Sequence, residues 1–328
     1  MGIVEAATDA AGRLKSAIAD RRAGVKLSTL DGSTPMDIPE RIAMARRCHD
    51  CDDLPKAPQA GQVVPDDDGV PVQIMHNGLR VVADGYCGAW TTELIRVCEG
   101  HHEPQEERVV HEILGRLGPD ATMIELGAWW SFYSLWFLQG EPGRTAVALE
   151  PDPERRAVGE DNARRNGSAP HFVSGFAGGT SSPAEPFALD SGETLQLPRL
   201  TVPELMRMHG IETLDVLHCD AQGAEIDVLE SIADLLRTGR VRTVIVSTHH
   251  HSISGDPLTH QRVLAFVQSC GGKVLAEHDV HESFSGDGLV AARFGPDRDE
   301  WPEVPISLNR YSHSLFRNPL YELRPWWR

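Results

Sequence analysis

From Pro104 onward, short β-branched apolar runs alternate with amphipathic segments, and this alternation restricts the chain to an open α/β sheet covered on both faces. "PQEERVVHEILGRLG" places Val109, Val110, Ile113, Leu114 and Leu117 on one face between Pro104 and Gly118, a helix with start and stop signals. "TMIEL" reads as a strand, "SFYSLWFL" as a helix and "TAVALE" as a second strand. "DPERRAVGEDNARRN" is a helix closed by Gly167. "HFVSGF" is a third strand, followed by a Gly/Ser/Pro loop over 177–192. Thr201 caps a short helix ahead of the strand "DVLHCD". The helix "AEIDVLESIADLLRTG", the strand "RTVIVST", the helix "PLTHQRVLAFVQSCGG" and the strands "KVLAEH" and "GLVAARF" complete the series. The loop joining the last two strands, "DVHESFSGD", is too short for a helical crossover, so the final strand must run antiparallel.

Upstream, residues 1–47 read as polar amphipathic helices and "LPKAPQAGQVVPDDDGVP" (54–71) as a loop. Two apolar runs around Asn77-Gly78 predict a hairpin. The expected organisation is a helical and β-hairpin cap over 1–103, a ligand-binding core over 104–296, and a tail over 297–328 packing on that core. With 31 basic and 48 acidic residues the net charge is −17, which disfavours nucleic acid and anionic membrane partners. No apolar run approaches the roughly 18 residues of a membrane span. The N-terminus lacks a signal-peptide pattern, and Ala6 stands where a myristoylation motif needs Ser or Thr. A cytoplasmic protein is expected, with homo-oligomerisation left open. Among six cysteines, "CHDC" (Cys48, Cys51) has the spacing of a zinc half-site, with Cys87 and Cys98 as completing candidates. That second pair is not closely spaced, so unpaired thiols and no metal are expected.

Ligands bind such sheets beyond the C-terminal strand ends, where the strand order reverses. The first core strand ends at Glu125-Leu126-Gly127, and the second at Glu150, 23 positions after Gly127. An acidic residue at that spacing suits the two hydroxyls of a ribose. A nicotinamide enzyme would need further glycines so that its backbone could approach a pyrophosphate. Trp129 stands at the second of those positions. S-adenosylmethionine carries no phosphate and needs close approach at one place, where Gly127 remains. A side chain at Gly127 is therefore expected to block the cofactor while leaving the fold largely intact. Of Trp129 and Trp130, one is expected to pack and the other to shape the mouth of the site.

Three stretches, "MIELGAWWSFYSLWF", "ALEPDPERRAVGEDNARRNG" and "VLHCDAQGAEIDVLES", together resemble the FkbM-type S-adenosylmethionine-dependent methyltransferases. The matching residues are Glu125, Gly127 and Ala128, then Glu150 and Pro151, then Asp220, Gly223 and Glu225; Trp129 departs from the family's usual asparagine. "QIMHNG", "GHHEPQEE", "STHHHSISGDPLTHQ" and "SGDGLV" extend the similarity over about 50–325. The resemblance implies a class I methyltransferase (Rossmann-like) fold: a mostly parallel seven-stranded sheet, last strand antiparallel, with a small N-terminal α/β cap. It also implies that Glu103, Gln105 and Glu106 belong to a segment reaching back over the cofactor. Glu125, Gly127, Ala128, Glu150, Pro151, Gly175, Phe176 and Asp220 complete the expected cofactor set.

The family's chemistry implies O-methylation of a small-molecule acceptor, a sugar or other natural-product hydroxyl. A neutral hydroxyl must be aligned with the methyl group and lose a proton. The ends of the fourth and fifth strands carry Asp220 and "THHHSISGDP". Histidine titrates nearest working pH, so His249 or His250 is the expected base, oriented by Asp220. The alternatives are a polar loop whose histidines serve backbone carbonyls, or a divalent ion held by His249, His251 and Asp220. A nicotinamide oxidoreductase and a non-catalytic cofactor-binding module are the remaining readings.

Overall fold

A computed structural model of the chain describes residues 38–309. The helices expected before Ile38 lie outside the described residues. Helix α1 (Ile38–Ala45) leads into an antiparallel sheet of β1 (Val63–Pro65), β2 (Pro71–Ile74) and β3 (Arg80–Val82), then helix α2 (Ala89–Val97). The Asn77-Gly78 turn joins β2 to β3, with Gly78 at φ 89°.

The main body begins with α3 (Pro104–Leu114), β4 (Thr122–Leu126), α4 (Phe132–Leu138), β5 (Thr145–Glu150), α5 (Pro153–Arg165) and β6 (His171–Ser174). A small accessory sheet follows, made of β7 (Phe176–Ala177), β8 (Ser182–Ala188) and β9 (Thr194–Leu200), and leads into α6 (Val202–Met208). The second half holds β10 (Val216–Cys219), α7 (Glu225–Ser231), α8 (Ala233–Arg237), β11 (Thr243–Thr248), α9 (His251–Ser254), α10 (Thr259–Ser269), β12 (Lys273–His278) and β13 (Gly288–Arg293). The seven-stranded sheet has the order β12-β13-β11-β10-β4-β5-β6. β13 runs antiparallel to both β11 and β12, as the short loop before it requires, and inserts between them. The remaining neighbours pair in parallel. The order reverses between β4 and β10, which sets the ligand position at their C-terminal ends.

β10, β11 and β13 are buried along their whole length, which explains their predominantly apolar or β-branched character; His218, Ser247 and Arg293 are the buried polar exceptions that find partners. Met75, Leu79, Val81 and Ile95 from the N-terminal region share one hydrophobic cluster with Val109, Met123, Trp130 and Phe132 of the main body. Each such side chain contributes about 1.5–3 kcal/mol relative to exposure, so the cap is held by apolar burial. Helix α5 also closes the open edge of β3. Asn162 Oδ1 accepts from Val82 N at 2.8 Å, and Asn166 Oδ1 accepts from Arg80 N at 2.9 Å. Trp301 and Val304, beyond β13, enter the same cluster; residues 310–328 lie outside the described residues.

The structure departs from the sequence expectation in the segment 177–192. Most of it is the β8–β9 hairpin, whose Pro183, Pro186 and Pro198 argue against a central strand. Pro183 and Pro186 are tolerated because β8 is an edge of this separate three-stranded sheet, and Pro198, on the middle strand, falls where the β8–β9 register is irregular. Helix α3 also ends earlier than expected, at Leu114 instead of near Gly118.

Candidate active site

The turn after β4 is a run of constrained backbone. Gly127 (φ 77°), Trp129 (φ 39°) and Ser131 (φ 60°) all adopt left-handed conformations. The N–H groups of Gly127 and Ala128 both donate to Leu149 O at 3.0 Å, which ties the turn to the end of β5. A Cβ on Gly127 would lie 1.9 Å from the carbonyl oxygen of Asp220. The glycine is therefore required by the approach of the β4 and β10 ends. This corrects the expectation that a side chain there would spare the fold.

The two tryptophans divide as expected. Trp130 is buried, stacked on Tyr86 with centroids 4.5 Å apart, and packed against Phe132. Trp129 lines the cavity at the strand ends, and the Arg155 guanidinium lies 3.7 Å over its ring. Its backbone N–H donates to Glu150 Oε2 at 2.8 Å, while Glu150 Oε1 accepts from Asp152 N at 2.9 Å. Burial pushes the Glu150 carboxyl up, opposed by these two donors and by Arg155. The cavity measures about 620 Å³, and Gly127, Glu150, Pro151, Gly175, Phe176 and Asp220 of the expected residues line it. Arg155 pairs across it with Asp190, at the tip of the β8–β9 hairpin. Nothing in the sequence pattern marked Arg155.

Glu125 and Ala128 are buried and do not line the cavity. The Glu125 carboxylate turns inward and accepts from the Ser134 N–H at 3.0 Å and from its hydroxyl, securing the start of α4. Burial raises its pKa to about 7, against the opposing pull of His218 and the Ser134 donors.

Beside Gly127, Asp220 meets His249. His249 Nε2 lies 3.0 Å from Asp220 Oδ1 and 3.9 Å from Asp287 Oδ1, and its Nδ1 lies 2.7 Å from Glu225 Oε1. Glu225 is fully buried and accepts from Gly223 N with both oxygens, at 3.0 and 2.9 Å. Burial alone would lower the His249 pKa, but Asp287, Asp220 and Glu225 together hold it well above its ordinary value. Burial likewise would raise Asp220, and His249 reverses this to keep it low. The group is thus a buried imidazole flanked by three carboxylates. Glu225 and Asp287 were not among the expected site residues, although both lie in the quoted motifs.

The neighbouring histidines are placed differently. His250 caps α9, its Nδ1 accepting from Ser252 N at 3.3 Å. His251 starts that helix with its ring 4.3 Å from that of His250. Among the described residues, His249, His251 and Asp220 do not form a group at ligand spacing. Cys48, Cys51, Cys87 and Cys98 are free thiols and likewise form no such group.

The "HEPQEE" segment divides as well. Gln105 braces the C-terminal part, donating to Ser307 O at 2.7 Å and accepting from Phe284 N at 2.8 Å. Glu106 reaches under the sheet ends, with Oε1 2.6 Å from His218 Nε2 and Oε2 accepting from Ser247 at 3.2 Å. Glu103 is the one left partly open, 3.3 Å from Tyr133 Oη. Burial pushes its pKa up to about 8; His102 opposes this, while the charges of Glu106, Asp287 and Asp220 add to it.

Residues 112–274 match the family model of the methyltransferase FkbM domain. This stretch is an FkbM methyltransferase domain. It is similar to the solved precorrin-6y C5,15-methyltransferase from Geobacter metallireducens GS-15, at 14% identity and TM-score 0.40, covering 58% of this chain and 87% of that one. The METTL16 methyltransferase domain is similar at 14% identity and TM-score 0.42, over 69% of this chain and 87% of that one. A geranyl diphosphate methyltransferase in complex with GPP and sinefungin follows at 15% identity and TM-score 0.39, over 62% and 81%. No curated protein matches the chain significantly.

The FkbM enzyme is an S-adenosylmethionine-dependent methyltransferase. Its cavity fits that cofactor, with a carboxylate at the end of β5 and room of the right order. No helix among the described residues is long and apolar enough to cross a membrane.

Glu150 lends itself to a direct measurement. Glu150→Ala is expected to weaken S-adenosylhomocysteine binding by about 1.5–3 kcal/mol, the scale of hydrogen bonds to a charged group. Calorimetry reads this, with Glu150→Gln as the control that keeps an oxygen for the Trp129 and Asp152 donors. Unchanged affinity in both variants would remove the ribose assignment.

Proposed function

We propose that the FkbM enzyme O-methylates a hydroxyl of a sugar or other small polyhydroxylated metabolite. The reading rests on Asp220, which lines the cavity beside Gly127 as an acceptor suited to a hydroxyl and faces the buried His249–Glu225 pair. When bound, S-adenosylmethionine supplies a methyl group on a positively charged sulfur. Asp220 accepts the hydroxyl's hydrogen bond and takes its proton. A depressed carboxylate suffices, because the hydroxyl becomes strongly acidic as its oxygen begins to bond to carbon. His249 has both nitrogens engaged by carboxylates, so it fixes Asp220 in place and balances its charge. On this reading Asp220 takes the role expected from the sequence for His249 or His250, and His250 serves as a helix cap. Mono- and oligosaccharides, linear polyols and amine analogues of equal size, assayed for S-adenosylhomocysteine release, test the acceptor class. Turnover confined to the amines would sink the hydroxyl assignment.

The pH dependence separates the two kinds of base. His249 lies above its ordinary 6.5, so the imidazolium contributes fully below that pH and is lost only as pH rises through the higher folded-state value. Asp220 lies below its ordinary 3.8, so its contribution is present above that pH and lost as pH falls through the lower value. Turnover is expected to show no rise through a histidine-like pKa near neutrality. A rise there that His249→Gln abolishes would restore the imidazole base.

A further inference from the structure

Away from the cofactor cavity, Glu107 on the first turns of α3 lies fully buried among histidines. Its Oε1 accepts from His102 N at 2.7 Å and Glu103 N at 3.0 Å and also lies 2.7 Å from His102 Nδ1. Its Oε2 faces two imidazoles, with His101 Nδ1 at 2.5 Å and His76 Nδ1 at 3.1 Å. These three residues come from three places in the chain: the turn after β2, the α2–α3 connection and α3 itself. Backbone packing brings them together. His76 N donates to Gly100 O at 3.0 Å, and a Cβ on Gly100 would lie 2.3 Å from His76 N.

Hydrogen bonding accounts for only part of this arrangement. His76 Nδ1 approaches Glu107 Oε2 without the angle of a hydrogen bond, and neither His76 nitrogen has a hydrogen-bond partner. His101 Nε2 is also buried without one. Leaving a buried polar atom unsatisfied costs about 1–3 kcal/mol, and an ion here would take one nitrogen from each imidazole. One atom from each of His76, His101 and Glu107 lies within 4.8 Å of the other two. A nitrogen and an oxygen that are close yet not aimed at each other are oriented as two ligands of one ion would be. Trp136, edge-on to His76 at 4.6 Å, and Phe132 supply an apolar shell.

We infer that His76, His101 and Glu107 form a site for a divalent transition metal, joining the β2–β3 turn to the start of α3. Two imidazoles and one carboxylate suit zinc or a neighbouring first-row ion, and they suit magnesium or calcium poorly. Its role is structural. The ion secures the helix whose N-terminal residue, Glu103, faces the active site, and it takes no part in methyl transfer.

The test uses the full-length protein purified without chelators or metal-affinity resin. Elemental analysis is expected to find about one first-row divalent ion per chain. Titration of chelator-stripped protein with Co²⁺ should give the visible absorption of nitrogen and oxygen ligation. That absorption should be lost in His76→Ala and Glu107→Gln but kept in His209→Ala, a histidine outside the cluster. Stripping should lower Tm, and Zn²⁺ should restore it. Less than about 0.1 equivalent of metal as isolated, with no Co²⁺ absorption on titration, would overturn the assignment. So would absorption that both cluster variants retain. Should Glu107→Gln fail to fold, the wild-type metal content and His76→Ala still decide.

Discussion

Asp220→Asn is expected to lower methyl transfer about 10²–10⁴-fold, the range for loss of a positioned proton acceptor. The amide keeps the size of the side chain but takes a proton poorly. It also leaves His249 facing an amide where a carboxylate had helped hold it charged. Binding of S-adenosylhomocysteine should change little, because the backbone at Asp220, packed on Gly127, is preserved. Single-turnover rates at saturating cofactor, together with calorimetry, separate the two effects. His249→Ala should fall in the same range with cofactor affinity nearly unchanged. It should also lose stability, since it leaves the buried Glu225 carboxylate without its partner. If Asp220→Asn turned over normally while His249→Ala did not, the proton would have to leave by another group. Glu103, with its raised pKa, would be the first to examine.

Gly127→Ala is expected to destabilise the protein by on the order of 3 kcal/mol or more, in addition to abolishing measurable cofactor binding. Two causes add. The backbone sits at φ 77°, which an L side chain tolerates poorly, and the new Cβ would meet the Asp220 carbonyl oxygen at 1.9 Å. Either the turn or the end of β10 must move, and both frame the cavity. Urea denaturation reads the first effect and calorimetry the second. A variant with wild-type stability that had merely lost the cofactor would return Gly127 to the simpler role of admitting a ligand.

The seven strands and the reversed β13 were legible because periodicity and loop length are local properties. A short connection cannot contain a crossover helix, whatever surrounds it. The β8–β9 hairpin was hidden by its prolines, which mark a loop unless the strand lies in a sheet of its own. That is a tertiary fact. The place of Glu150 at a strand end beside the cavity was readable, as was the division between one packing tryptophan and one half-buried at the cavity wall. Arg155 was not readable, because its partners Trp129 and Asp190 lie far apart in sequence and meet only across the cavity.

The same boundary runs through the ionisable residues. Sequence alone determined that Asp220 and three adjacent histidines would gather at the ends of β10 and β11, since strand order and strand ends follow from pattern. Only the tertiary structure decided what each one does. Glu225 enters from α7 and Asp287 from the loop before β13, and their charges raise the His249 pKa well above its ordinary value in spite of its burial. His250, one residue on, is turned into a helix cap. Gln105 and Glu106 look alike beside Glu103 on paper, yet one braces the C-terminal segment and the other reaches His218 beneath the sheet. The physical reason is that a residue's type fixes its possible protonation states, whereas the state adopted depends on burial and on neighbouring charges. Those neighbours arrive from distant parts of the chain, and only the folded arrangement brings them together.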